Sequence, residues 1–301
     1  MRRLLFSLSS ASALAVVLAT SSFVACSGAR SSGFDDPVPD AGANDGGPGT
    51  GSSSGGLPTG DASPDTGGPA LIAEVWGHSR DTLYKLDPDS KAVNAIGTFS
   101  GCTSVIDIAL DGESNLYGTT SGGLWKIDKA TAKCTLIKNG TYPNSLSFVP
   151  KGTVDPAAEA LVGYDGGDYI RIDTTTGAVT KIGAIGGGFT SSGDIVSVKD
   201  GPTYLTVKGS GCTTNDCLVE VDPATGKAVK NWGSIAHPDV FGLAFWAGSV
   251  YGFSNDGELF EVTFSGSSIS TKPIPIPSKP AALSFWGAGS TTSAPVKPIP
   301  K

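Results

Sequence analysis

Eight polar side chains in this 301-residue chain are candidates for chemistry: Asn144, Asp165, Asp168, Asp194, His237, Asp239, Asn255 and Asp256. Carboxylate and amide oxygens converging on one point suit a hard cation such as Ca²⁺, and such an ion could assist lactone or ester hydrolysis. The alternative is that these residues occupy turns, where Asp and Asn bond their own backbone. His237 stands directly before Pro238, as a loop residue would. Four more aspartates, Asp87, Asp128, Asp173 and Asp222, recur in similar surroundings and are readable either as metal ligands or as turn caps. The sequence holds no nucleophile elbow, Gly-rich phosphate loop, zinc signature or HExxH pattern.

The elements that must carry these residues come from a repeat. Leu83 opens LYKLDPDSKAV, Leu124 LWKIDKATAKC, Tyr169 YIRIDTTTGAV, Leu218 LVEVDPATGKA and Leu259 LFEVTFSGSSI. The pivots Asp87, Asp128, Asp173, Asp222 and Thr263 are spaced 41, 45, 49 and 41 apart. Periods in the forties, with several strands in each, mark propeller blades. Apolar alternation before the pivot makes a strand, the Asp caps the turn, and Gly177 or Gly226 supplies a left-handed position before the next strand. Recurrence in every blade favours the cap over the metal ligand.

A second series interleaves: Ile108-Ala109-Leu110, Leu146-Ser147-Phe148, Val196-Ser197-Val198, Leu243-Ala244-Phe245 and Leu283-Ser284-Phe285. A tiny residue between two apolar ones fits the innermost strand of a blade, crowded around the axis. The first pivot precedes the first inner strand and the last inner strand has no pivot after it. The C-terminal strand, expected at 281 to 286, must therefore complete the blade begun by strands near 71 to 77, 82 to 87 and 92 to 97. The expected fold is an all-β propeller of about five four-stranded blades over 71–289, closed by its own termini and leaving no open edge across the ring. Trp246 and Trp286 are expected as packing residues after inner strands, with a sugar-stacking platform as the other possibility.

The pattern LYG or LVG, about ten residues, I-D-x-x-T-G and a final I-G resembles secreted bacterial propeller repeats of the YVTN and quinoprotein-like kind. That resemblance implies the fold and carries no cofactor or activity with it. On such a propeller, the loops feeding the inner strands meet the hairpins between second and third strands on one face, and that face would carry the eight polar residues named above.

The N-terminus supplies an address. Arg2 and Arg3, an apolar run around Leu14 to Leu18 and small residues before Cys26 read as a secretory signal peptide over 1–25. Phe23-Val24-Ala25-Cys26 resembles the bacterial lipobox, which implies lipidation of Cys26; an ordinary cleavage site with an unmodified cysteine is the alternative. Ser27 after it, by resemblance to enteric lipoproteins, favours the outer membrane. From 26 to 70 the chain is rich in Gly, Pro, Ser and Asp, a disordered tether of roughly 35–40 Å mean reach. Residues 290–301 are expected as a disordered tail.

Five cysteines are an odd number, and assigning Cys26 to lipid leaves four. Cys212 and Cys217 flank an extra-long hairpin, KGSGCTTNDCLVEVD, and an exported chain favours a local disulfide there over metal binding. Cys102 and Cys134 remain as the second pair, although four cysteines allow three pairings. With net charge −7 and no Lys/Arg cluster, nucleic acid is not expected as a partner. The chain is expected to be a monomeric, lipid-anchored envelope protein whose head binds a protein or glycan without catalysis and without a cofactor. A calcium-assisted hydrolase or lyase, lactonase-like and with its site in the axial funnel, is the second possibility.

Overall fold

Side-chain alternation sets the strands. In Asp168–Ile172, Tyr169, Ile170 and Ile172 are buried while Arg171 is half-exposed, because both faces of a blade pack on neighbouring blades. A computed structural model describes residues 72–298, in which twenty such strands form five four-stranded antiparallel sheets. The chain is a five-bladed β-propeller.

The strands β1 (Val75–His78), β2 (Thr82–Leu86) and β3 (Val93–Thr98) open blade 1. Blade 2 follows as β4 (Val105–Leu110), β5 (Leu116–Thr120), β6 (Gly123–Ile127) and β7 (Cys134–Asn139). Blade 3 is β8 (Leu146–Val149), β9 (Ala160–Asp165), β10 (Asp168–Ile172) and β11 (Val179–Ala184). Blade 4 is β12 (Phe189–Ser197), β13 (Thr203–Gly209), β14 (Cys212–Val221) and β15 (Ala228–Ser234). Blade 5 is β16 (Val240–Trp246), β17 (Ser249–Ser254), β18 (Leu259–Ser265) and β19 (Ser268–Ile274). The last strand, β20 (Gly287–Ser290), pairs with β1 and becomes the inner strand of blade 1. Ring closure by the C-terminal strand is therefore present.

The closing strand is not where the apolar pattern placed it. Leu283 and Phe285 are buried in the cluster between blades 5 and 1, but they precede β20, whose sequence is Gly-Ala-Gly-Ser. Trp286 accordingly precedes its inner strand, with the Arg80 guanidinium 5.9 Å from its ring centre, whereas Trp246 ends β16 and packs against two core clusters. In blade 4 the counterpart of Ile108 is Ile195 rather than Val196: Ile108 pairs with Gly118 and Ile195 with Leu205 at the same level.

The pivot turns are built alike. Asp87, Asp128 and Asp173 each accept, through Oδ1, the amides two and three residues ahead at 2.7–3.0 Å, and Asp222 accepts that of Ala224 at 2.9 Å. The residue four after each pivot is left-handed: Lys91, Ala132, Gly177 and Gly226, with φ of 60°, 55°, 68° and 69°. These carboxylates sit at turns, spent on backbone amides.

The expected disordered tail is ordered as far as residue 298. After β20 the chain crosses the end of the axis opposite the loop face as a strap. Thr291 N–H donates to Glu74 O at 3.1 Å, Lys199 N–H to Thr292 O at 2.8 Å and Ala247 N–H to Pro295 O at 2.7 Å. The Thr292 hydroxyl donates to Glu159 Oε1 at 2.6 Å, while Glu159 Oε2 accepts the Gly112 amide at 2.7 Å. One short segment thus reaches blades 1, 3, 4 and 5 directly and blade 2 through Glu159, burying Thr291, Thr292 and Ala294. The expected signal peptide, Cys26 and the tether to residue 70 lie outside the described residues, as do residues 299–301.

Candidate functional site

The pairing register identifies one level of the inner ring. Ala288, Ile108, Leu146, Ile195 and Leu243 are equivalent, so the residues before them, Gly287, Asp107, Ser145, Asp194 and Gly242, form a ring at the loop-face end of the axis. The two aspartates here reach toward the following blade. Asp107 accepts its own neighbour's amide, Ile108, at 2.8 Å and that of Leu146 in blade 3 at 2.7 Å. Asp194 repeats this with Ile195 at 2.7 Å and Leu243 in blade 5 at 2.6 Å. Each carboxyl ties two inner strands together. Gly242 and Gly287 have no room for a side chain: a Cβ on Gly242 would strike the backbone of Gly287 and Ala288, and one on Gly287 would overlap Asp107 Oδ1 and His78 Nε2.

Asp107, Asp194 and His78 are all fully buried. Burial raises both aspartates well above the usual carboxylate range, and for Asp107 the neighbouring Asp194 charge raises it further; backbone amides pull the other way. Burial also lowers His78 from 6.5 to about 4, against the hydrogen bond between Nδ1 and Ser79 O at 2.8 Å. A carbonyl oxygen only accepts, so Nδ1 carries the proton of this neutral imidazole and Nε2 faces the ring without a partner. Ser145 Oγ is likewise buried and unpartnered. A sealed set of this kind can hold and exchange a proton while locking strands.

Of the eight residues expected on the loop face, only Asp194 reaches this ring. Asn144, Asp239 and Asp256 are exposed on their loops, and Asp165 is exposed at the end of β9. Asp168 is engaged by Lys181 at 2.7 Å. His237 stacks on Phe260, with ring centres 3.9 Å apart and planes at 9°, and its Nδ1 lies 2.9 Å from Glu258 Oε2. Asn255 N–H donates to Asp239 O at 3.0 Å, which joins His237, Asp239, Asn255 and Asp256 on adjoining loops of blades 4 and 5; Asp165 and Asp168 belong to blade 3 and Asn144 to the loop leading into it. Such a donor set does not fit a calcium ion, since the carboxylates do not converge. Among the described residues, no group of three or more His, Cys, Asp or Glu is placed to hold a metal.

Sequence reasoning missed Asp107, His78 and Ser145. The available signal was the dipeptide Asp-Ile, present at Asp107-Ile108 and again at Asp194-Ile195, which a one-residue offset in aligning blade 4 conceals. It also missed Asp216, the residue that positions the blade 4–5 loops. Both predicted disulfides are present, Cys102–Cys134 and Cys212–Cys217, and the second closes a loop that contains Asp216. Fully buried, Asp216 accepts the Val240 amide at 2.8 Å, and its Oδ1 lies 3.0 Å from the Lys208 ammonium as an ion pair, without aligned hydrogen-bond geometry. Its backbone N–H donates to His237 O at 3.0 Å and its carbonyl accepts the Ile235 amide at 2.9 Å. The disulfide loop therefore holds the segment that presents His237 and Asp239.

No known family profile matches the sequence, and no curated protein matches it. Solved structures similar in fold include one from a nidogen/laminin complex, 9% identical over 75% of this chain and 100% of that chain, with a TM-score of 0.45. The Dos1 propeller is 15% identical over 62% of this chain and 50% of its own, at a TM-score of 0.35. A quinonprotein alcohol dehydrogenase-like protein from Bacteroides thetaiotaomicron is 15% identical over 65% of this chain and 52% of its own, at a TM-score of 0.37.

Proposed function

We propose that the protein is a non-catalytic binding head on the cell envelope, held by a lipid on Cys26 and engaging a protein or glycan partner through its loop face. Two disulfides accord with an extracytoplasmic location. Among the described residues no helix is long and apolar enough to cross a membrane. The observation that carries the binding role is the pre-organised patch of His237, Asp239, Asn255 and Asp256. Asp216 and the Cys212–Cys217 loop clamp its backbone while Asp239 and Asp256 stay exposed. Rigid presentation of polar groups lowers the ordering cost of binding.

Binding of the full chain to purified envelope glycan and to envelope protein fractions tests this directly. The double variant Asp239→Asn/Asp256→Ala, which keeps at the left-handed position 239 a residue that tolerates it, is expected to lose binding about tenfold or more, with an unchanged thermal midpoint. Unchanged binding to both fractions would move the site off this patch. Mass analysis of the mature N-terminus tests the anchor separately, and an unmodified Cys26 would remove it.

A further inference from the structure

We propose that Asp107 and Asp194 hold a single proton between them at neutral pH and act as a pH-sensitive lock on the propeller axis, closed while that proton is bound. The two carboxyls come from β4 and β12 and clamp the amides of Leu146 in β8 and Leu243 in β16, so together they fasten four of the five inner strands. Asp107 reaches from β4 across to the Leu146 amide of β8, the inner strand beside β12, on which Asp194 stands at the same level of the ring, and both carboxyls are fully buried. Two negative charges at such a point, shielded from water, have only backbone amides and no cation to offset them.

The surroundings supply no cation. From β1 comes His78, neutral for the reason given above; from the turn before β8 comes Ser145; from β13 comes the Thr206 hydroxyl, which accepts the Asp194 amide at 2.9 Å. From β16 and β20 come Gly242 and Gly287, which bring no side chain. Among the described residues no Lys or Arg forms an ion pair with either carboxyl, whereas the other fully buried aspartate, Asp216, has Lys208. A shared proton resolves the conflict, and it costs no hydrogen bond, because each carboxyl oxygen has a second site beyond the amide it already accepts.

Loss of the proton acts on the loop face. Leu146 opens β8 directly after the loop that carries Asn144, and Leu243 lies in β16 three residues beyond Val240, where the loop with His237 and Asp239 ends. When both carboxyls are charged, repulsion drives them apart and slackens the clamps on those two amides. The folded pair keeps a proton that unfolded aspartates, with their ordinary value of 3.8, have already lost. Stability therefore falls as pH rises, by about tenfold in the unfolding constant per pH unit, until the pair's proton leaves. His78 works in the opposite sense: kept neutral down to about 4 when folded but titrating at 6.5 when unfolded, it costs stability as pH falls through that interval. The two effects oppose each other below 6.5, and the pair acts alone above it.

Carboxyl-carbon NMR and thermal unfolding of the full chain, from pH 6.5 to about pH 9, test the lock. One Asp carboxyl is expected to keep its protonated signature at neutral pH. The thermal midpoint should fall as that signal titrates, and amide exchange at Leu146 and Leu243 should accelerate over the same range. Asp107→Asn and Asp194→Asn should each flatten the fall. If every Asp carboxyl has ionised by neutral pH, or if the pH dependence survives in a folded variant, there is no lock. Should both variants fail to fold, the wild-type titration still decides.

Discussion

Left-handed residues at the pivot turns show how one position carries different loads in different blades. Lys91 and Ala132 adopt φ near 60° with a side chain in place, so their turns absorb the strain. Gly226 cannot, because a Cβ there would run into the Tyr169 ring, whose hydroxyl donates to Pro223 O at 2.8 Å. Gly226→Ala is therefore expected to cost clearly more than the about 1–2 kcal/mol of the backbone conformation alone. Gly266→Ala, at φ 59° with open space around it, should cost only that amount, and urea unfolding of both variants measures the difference. Glu74 offers a second residue-scale test. Burial opposes its ionisation, but the ammoniums of Lys129 and Lys85 outweigh it and bring the carboxyl from 4.5 to about 2. A depressed carboxylate gives stability that is present above its unfolded value and lost as pH falls toward the folded one. Glu74→Gln should accordingly flatten the acid limb of the pH–stability curve between 4.5 and about 2.

Among the elements, those legible in the sequence were the ones whose demands are hydrophobic. The third strand of blades 1 to 4, with its Asp pivot, stands out because both faces need apolar side chains and the turn needs one cap, as in Leu124 to Asp128 and Leu218 to Asp222, whereas in blade 5 Thr263 lies within β18. β20 was illegible for the opposite reason. Gly287 packs against Asp107 and His78, and Gly289 against the Ile108 carbonyl, so the most crowded strand has shed the side chains that would announce it. Leu283 and Phe285 nearby imitate an inner strand while serving the core between blades. The axial ring escaped notice because its residues, Gly, Asp, Ser, Asp and Gly, share a level and no common chemistry. The loop closed by Cys212–Cys217 makes an element-scale prediction. Replacing both cysteines by serine should cost about 2 kcal/mol by loop entropy. Hydrogen exchange should rise at Ile235 and Val240, the two amides that Asp216 accepts, and stay unchanged at Cys134, whose amide is held by Ser100 O at 2.7 Å in blade 2.

For the whole molecule, the strap of residues 291–298 is the feature that composition hid most completely. Thr291 and Thr292 look like tail residues and are buried because Glu74, Glu159 and the Lys199 amide satisfy them. Removing everything after Ser290 should destabilise the ring on the order of 3–5 kcal/mol, the loss of several part-buried hydrogen bonds, with a fall in the denaturant midpoint as the measurement. The strap also dictates a schedule. Synthesis delivers β1 before blades 2 to 5, yet its inner partner and the segment that spans the far end of the axis only after them, with Glu74 waiting for Thr291. Blades 2 to 5 can form in sequence, each from contiguous chain, while the first stays an incomplete sheet with an unpaired edge at Val75–His78. A chain stopped short before Gly287 would keep that edge exposed, so proteases and chaperones could distinguish it from a finished one. The fold thereby ties the stability of its first blade to the arrival of the strap.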